Sequence, residues 1–104
     1  MAYDEDLANR IREALADEQG VTEKRMFGGL AFLIGGHMAV AASGQGGLMV
    51  RCDPDDTEVH LDNGAERMVM RGREMDGWLR VYTEEIDPWV RVGVTYARSL
   101  PPKG

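Results

Sequence analysis

Cys52, His37 and His60 are the side chains whose types could supply a nucleophile and a base, and a thiolate–imidazole pair is the chemistry they would support. Their spacing gives no sign of such a pair. Cys52 alternates with Leu48 and Val50 on what reads as the apolar face of a strand, where a thiol behaves as a small core residue. His37 follows the turn pair Gly35-Gly36, and His60 sits in a short polar stretch, so both are expected to face solvent. Metal-ligand spacings such as Cys-x-x-Cys or His-x-x-x-His are missing. Asp53-x-Asp55 invites comparison with a calcium loop, but Glu58 stands where that loop needs glycine and Gly64 where it needs a bidentate glutamate. Helix capping accounts for those aspartates. Gly44-Gln45-Gly46-Gly47 has neither the lysine of a P-loop nor a following helix pattern, and reads as a hairpin connection. Neither a metal nor a cofactor is expected, and no catalytic set can be nominated.

Two groups of residues offer binding chemistry instead. The run Lys24-Arg25-Met26-Phe27-Gly28-Gly29 sets two cations and two large apolar groups before a glycine pair that permits a bend or close backbone approach. Arg67, Arg71, Arg73 and Arg80 fall within fourteen residues, interleaved with Met68, Met70, Met75 and Trp78. Arginine beside methionine and tryptophan can recognise phosphate, an RNA base or an acidic protein surface. The plainer reading places these arginines on the solvent side of two strands, offsetting nearby carboxylates. Lys24, Arg25, Met26, Phe27, Gly28, Gly29, Arg71, Arg73 and Trp78 are the candidate binding residues.

The elements that must hold these groups follow from periodicity. Leu7, Ile11, Ala14 and Leu15 recur at helical spacing, with Asp4 as cap, Glu5 and Asp6 in the first turn and Gly20 as a stop. Between residues 24 and 52, three apolar runs punctuated by glycines (Leu30 to Ile34, His37 to Ala42, Leu48 to Cys52) predict an antiparallel meander. In the last run Met49 and Arg51 share the face opposite Leu48 and Val50. Asp53-Pro54 opens a short helix that Asn63-Gly64 ends. Strands are expected around Met68-Val69-Met70 and Trp78 to Tyr82. A final helix opens at Asp87-Pro88, with Trp89, Gly93, Tyr96, Ala97 and Leu100 at helical spacing. The expected fold is α+β, a two-layer single domain over residues 1–104 with helices on one face of a five-stranded antiparallel sheet, in the order α-β3-α-β2-α.

Composition bounds the rest. A chain of 104 residues with 43% hydrophobic and 29% charged residues suits one soluble domain. The acidic start and the lack of a long apolar stretch predict a cytoplasmic protein with no membrane contact, and a single cysteine agrees with a reducing compartment. The formal charge of −6 opposes nonspecific binding to nucleic acid.

Several segments together resemble the TfoX amino-terminal domain family over nearly the whole chain. They are Met1-Ala2-Tyr3-Asp4, Val21 to Gly29 with Leu30-Ala31-Phe32, Met38-Ala39-Val40, Leu48 to Arg51, Met75-x-Gly77-Trp78 and Ala97 to Pro101. The resemblance implies an α+β fold of the secretion-chaperone kind and a non-enzymatic role in regulating bacterial DNA-uptake competence. Fuller members of that family carry a second, helical domain; the likeness here is to the first.

The leading expectation is therefore an interaction module that binds a protein partner of unknown identity or a second copy as a homodimer, within gene regulation. The alternatives are nucleic-acid binding through the Arg67–Arg80 patch and a small-ligand pocket beside Phe27 and Trp78.

Overall fold

A computed structural model describes residues 3–26, 28–44, 46–70 and 72–101 of the chain. Helix α1 runs over Glu5–Ala14, and the Asp4 carboxylate accepts the Leu7 N–H at 3.2 Å, as the sequence predicts. The helix closes at Leu15, whose N–H donates to the Ile11 carbonyl at 2.9 Å, so Gly20 lies in the turn beyond it rather than at its end. Four strands follow: β1 (Val21–Met26), β2 (Gly29–Ile34), β3 (His37–Ala42) and β4 (Leu48–Arg51). A 3₁₀ turn over Pro54–Asp56, capped by Asp53, leads into α2 (Thr57–Asp62). Strands β5 (Glu66–Met70) and β6 (Arg73–Val81) come next, and α3 (Asp87–Ser99) completes the order.

The α+β class and the single antiparallel sheet stand, but the sheet has six strands, arranged β1-β2-β3-β4-β6-β5, not five. The element order is accordingly α-β4-α-β2-α, not α-β3-α-β2-α. The additional strand is β1, whose central residues Thr22, Glu23, Lys24 and Arg25 are all exposed. As an edge strand it needs no buried face, so no apolar alternation marks it in the sequence. Charged residues on such an edge discourage unwanted pairing.

All three helices pack on one face of the sheet. There Ala8, Ile11 and Leu15 of the α1 segment and Val90, Val94 and Ala97 of α3 meet Leu30, Phe32, Val40, Leu48, Val50, Leu79 and Val81. Trp89 and Tyr96, expected to share the packing stripe of α3, are only half-buried on its flank. The buried stripe is Val90, Gly93, Val94 and Ala97. Asp87, expected as the cap, is already the first helical residue, with Ile86 before it.

The seat of α3 is set by a local irregularity. The register between β2 and β3 shifts between Phe32 and Leu33, so that Phe32 faces Val40 while Leu33 faces Met38. Ala39 is the extra residue, and both it and Val40 join the helix-side core at 0% exposure. A β-bulge of this kind bends the strand and turns consecutive side chains the same way. Gly93 of α3 rests directly on it, and a Cβ there would overlap the Ala39 carbonyl oxygen and lie 2.8 Å from Val40 Cγ1.

Ion pairs fasten the helices at their ends. Arg12 reaches both carboxylate oxygens of Glu23 at 2.8 Å, joining α1 to β1, and Arg98 reaches Glu18 at 2.7 Å. The hydrogen bonds from Arg12 hold the Glu23 carboxyl below its ordinary pKa. A depressed carboxyl pKa stabilises the fold above the unfolded value and loses that contribution as pH falls through the folded one. We expect an NMR titration to place the Glu23 midpoint below that of an ordinary glutamate, and Arg12→Ala to return it. Gly93→Ala should destabilise the protein by about 1–3 kcal/mol, since the overlap is with β3 backbone that cannot rotate away. Unchanged chemical denaturation of that variant would contradict the close seat.

Candidate interaction surface

The face of the sheet turned away from the helices carries a second apolar cluster. Ala31, Met38, Ala41, Met49 and Met68 are buried there, with Met26, Leu33 and Trp78 half-buried against them. All eight lie on strands, and among the described residues no helix contributes to the cluster. Strand register explains the arrangement. Lys24 pairs with Ala31, Ala31 with Ala41, Ala41 with Met49, Met49 with Arg80 and Arg80 with Glu66, one row across all six strands. Ala31 and Ala41 at its middle are only 1% and 4% exposed although no layer of helices lies over them. The long side chains able to shield them come from the same sheet. Unbranched methionines suit this role because they bend to fill irregular space.

Cations flank the cluster. Lys24 and Arg73 are exposed, and Arg51 and Arg80 are half-buried. The Arg51 guanidinium carbon lies 5.0 Å from the centre of the Trp78 ring and 5.4 Å from that of Tyr96, a cation–π arrangement with both. Arg80 Nη2 is 3.4 Å from Ser43 Oγ, while its buried Nε has no hydrogen-bond partner among the described residues. None of these four cations forms an ion pair among the described residues, whereas Arg12, Arg67 and Arg98 all do.

The expected binding residues are thus partly gathered and partly dispersed. Lys24 and Met26 alternate onto the methionine face, and Arg25, opposite Leu30, points to the other. Gly28 makes the turn between β1 and β2 at φ +75°. A Cβ on Gly29 would overlap the Ala42 carbonyl oxygen and lie 2.9 Å from the Gly44 nitrogen, so close backbone approach is the reason for that glycine. Trp78 belongs to the same cluster as Met26, and Arg73 stands at the start of β6. Phe27 and Arg71 lie outside the described residues. The arginine patch itself divides. Arg67 pairs in register with Leu79 of the helix-side core, and its guanidinium lies 3.0 Å from Asp76 and 3.6 Å from Glu74. Offsetting of nearby carboxylates is therefore right for Arg67, while Arg73 and Arg80 form no such pair among the described residues.

Met38, Met49, Ala31, Ala41 and Arg51 also belong to this surface and do not stand out in the sequence as binding residues. A signal is nonetheless present. Runs such as Leu30 to Ile34 are apolar at every position, which marks a strand packed on both faces.

The groups first considered for catalysis lie elsewhere and apart. Cys52 is buried at the end of β4, and its N–H donates to the Gly77 carbonyl at 2.9 Å. His60 is half-buried, with its ring edge-on to Trp89 at 5.7 Å, and His37 Nε2 is 2.6 Å from the Pro101 carbonyl oxygen. Neither histidine is simply solvated, contrary to expectation. A surface cleft of about 470 Å³ between α2 and α3 touches Cys52, Asp53, His60, Arg91 and Tyr96. Burial raises the Cys52 pKa, only partly offset by a hydrogen bond with Thr57, and Asp56 and Asp53 raise it further. The group is a thiol at neutral pH. Cys52 in the folded protein should therefore react with an aromatic disulfide reagent far more slowly than in the urea-unfolded chain; equal rates would contradict its burial.

No helix among the described residues is long and apolar enough to cross a membrane. Among the described residues, no three His, Cys, Asp or Glu side chains are grouped to hold a metal ion. No curated protein and no solved structure matches the chain. The glycine-punctuated meander, the Gly28-Gly29 turn and the Gly77-Trp78 pair all fall inside residues 13–96, the span matched by the family model described as the TfoX N-terminal domain, and the chain belongs to that family.

Proposed function

We propose that this protein is a non-enzymatic interaction module of a regulatory system, and that its contact surface is the methionine-lined face of the sheet. The observation that carries this reading is the asymmetry of the sheet. One face is covered by three helices; the other, among the described residues, presents an apolar cluster with four cations outside any ion pair and no covering helix. Ala31, Met38, Ala41, Met49 and Met68 are closed over, and Met26, Leu33 and Trp78 are the part of the cluster that reaches solvent. Half-buried Met26, Leu33 and Trp78 offer the mixture of flexible and rigid apolar groups found at the centres of protein interfaces. Membership of the TfoX N-terminal domain family supports a regulatory setting, with bacterial competence the process that the family resemblance implies. A cytoplasmic location suits the free Cys52.

Position-specific photo-crosslinking tests this reading. A photoreactive residue at Leu33, on the proposed face, should give discrete protein adducts in cells. The same residue at Glu58, exposed on α2, should give none. No adduct from Leu33, or the same adducts from both positions, would overturn the assignment of this face.

A further inference from the structure

An interaction role leaves the partner's chemistry open, and the same face restricts it. Building on that role, we infer that the methionine face receives an acidic amphipathic helix of a partner protein, lying along the row from Lys24 to Glu66.

Charge selects the sign. In a chain of net charge −6, the row carries Lys24 and Arg80, with Arg51 two residues from Met49 on the same strand, and none of the three has an ion-pair partner among the described residues. Glu66, at the far end of the row, is its one acid. A ligand with carboxylates would pair with these cations and present an acceptor to the buried Nε of Arg80.

Backbone chemistry selects the helix. An extended segment laid on a sheet face would press its own N–H and C=O groups against apolar side chains without partners. A helix satisfies those groups internally, and the chain's own helices solve the same problem on the opposite face. The row has the right form. Short Ala31 and Ala41 lie between Lys24 on one side and Met49 and Arg80 on the other, so a helix can sink towards the middle as the methionines swing aside. Five interstrand spacings of about 4.8 Å span about 24 Å, the length of a helix of about 16 residues.

Two other occupants fit less well. A face-to-face dimer would set these cations against their own copies, and α1 of a second copy has no apolar stripe to offer, because Ala8 and Ile11 are already buried. Single-stranded nucleic acid needs open aromatic faces for stacking. Trp78 is the one aromatic of the cluster among the described residues, and Arg51 already lies over its ring.

The test uses the full chain with methyl-labelled methionine and three probes: a helical Leu/Glu peptide of about 16 residues, the same peptide with Lys for Glu, and an oligothymidylate. The Leu/Glu peptide should shift the methyl signals of Met26, Met38, Met49 and Met68, and the Leu/Lys peptide should not. The substitutions Lys24→Glu and Arg80→Gln, at the two cations of the row, should together weaken the Leu/Glu peptide by about tenfold or more. Circular dichroism checks that this variant is folded. Equal binding of both peptides, or no shift from either, would overturn the inference. So would oligothymidylate shifting the same methyls, or dilution of the free protein alone moving them. If neither peptide binds while Leu33 still yields protein adducts, the interaction reading survives and only the acidic-helix assignment falls.

Discussion

The contact between Gly93 of α3 and the bulged Ala39 of β3 governs the arrangement of this molecule. With no side chain at Gly93, the helix backbone descends onto the strand backbone. The bulge turns Ala39 and Val40 together towards it. From that seat Val90, Val94 and Ala97 reach the strands on either side, and α1 packs beside α3 with Arg98 and Glu18 closing the end of the pair. The helical layer is thereby committed to one face of the sheet.

The consequence appears on the other face. Strands apolar on both sides normally lie between two layers, yet here one side is roofed by helices and the other is closed by its own methionines. A cluster built from alanines under methionines is less rigid than one of branched aliphatics, because each thioether side chain has several rotatable bonds and shallow preferences. The two faces thus differ in how they are packed. The helix side supplies most of the packed core, and the methionine side a smaller cluster built from the strands alone among the described residues.

Charge is spread unevenly over the two faces. The chain is acidic overall, and carboxylates away from the methionine face engage Arg12, Arg67 and Arg98. On the methionine face the register turns Lys24 and Arg80 away from the strand positions that face the helices and sets Glu66 opposite Arg80. A net charge read from the sequence averages over both faces and hides the contrast.

Much of the fold was legible in the residues themselves. Asp4, Asp53 and Gly28 declare their roles through local chemistry, because a cap or a tight turn depends on one or two side chains and their immediate backbone. The α+β class and helices α1 and α3 follow from periodicity, and α2 from its Asp53-Pro54 opening. Strand β1 was hidden because an edge strand buries little, so Thr22 to Arg25 carry no apolar signature. The division of the arginines was hidden too. Whether Arg67 meets Glu74 and Asp76 or stands apart from carboxylates like Arg73 depends on the register of β5 against β6, which shifts between Arg67 and Met68. The sequence by itself determined the three helices, five of the six strands and the need for glycine between β1 and β2. Tertiary structure alone decided which side chains share the uncovered face, because pairing between distant strands, not any local preference, brings Lys24, Met49 and Arg80 into one row.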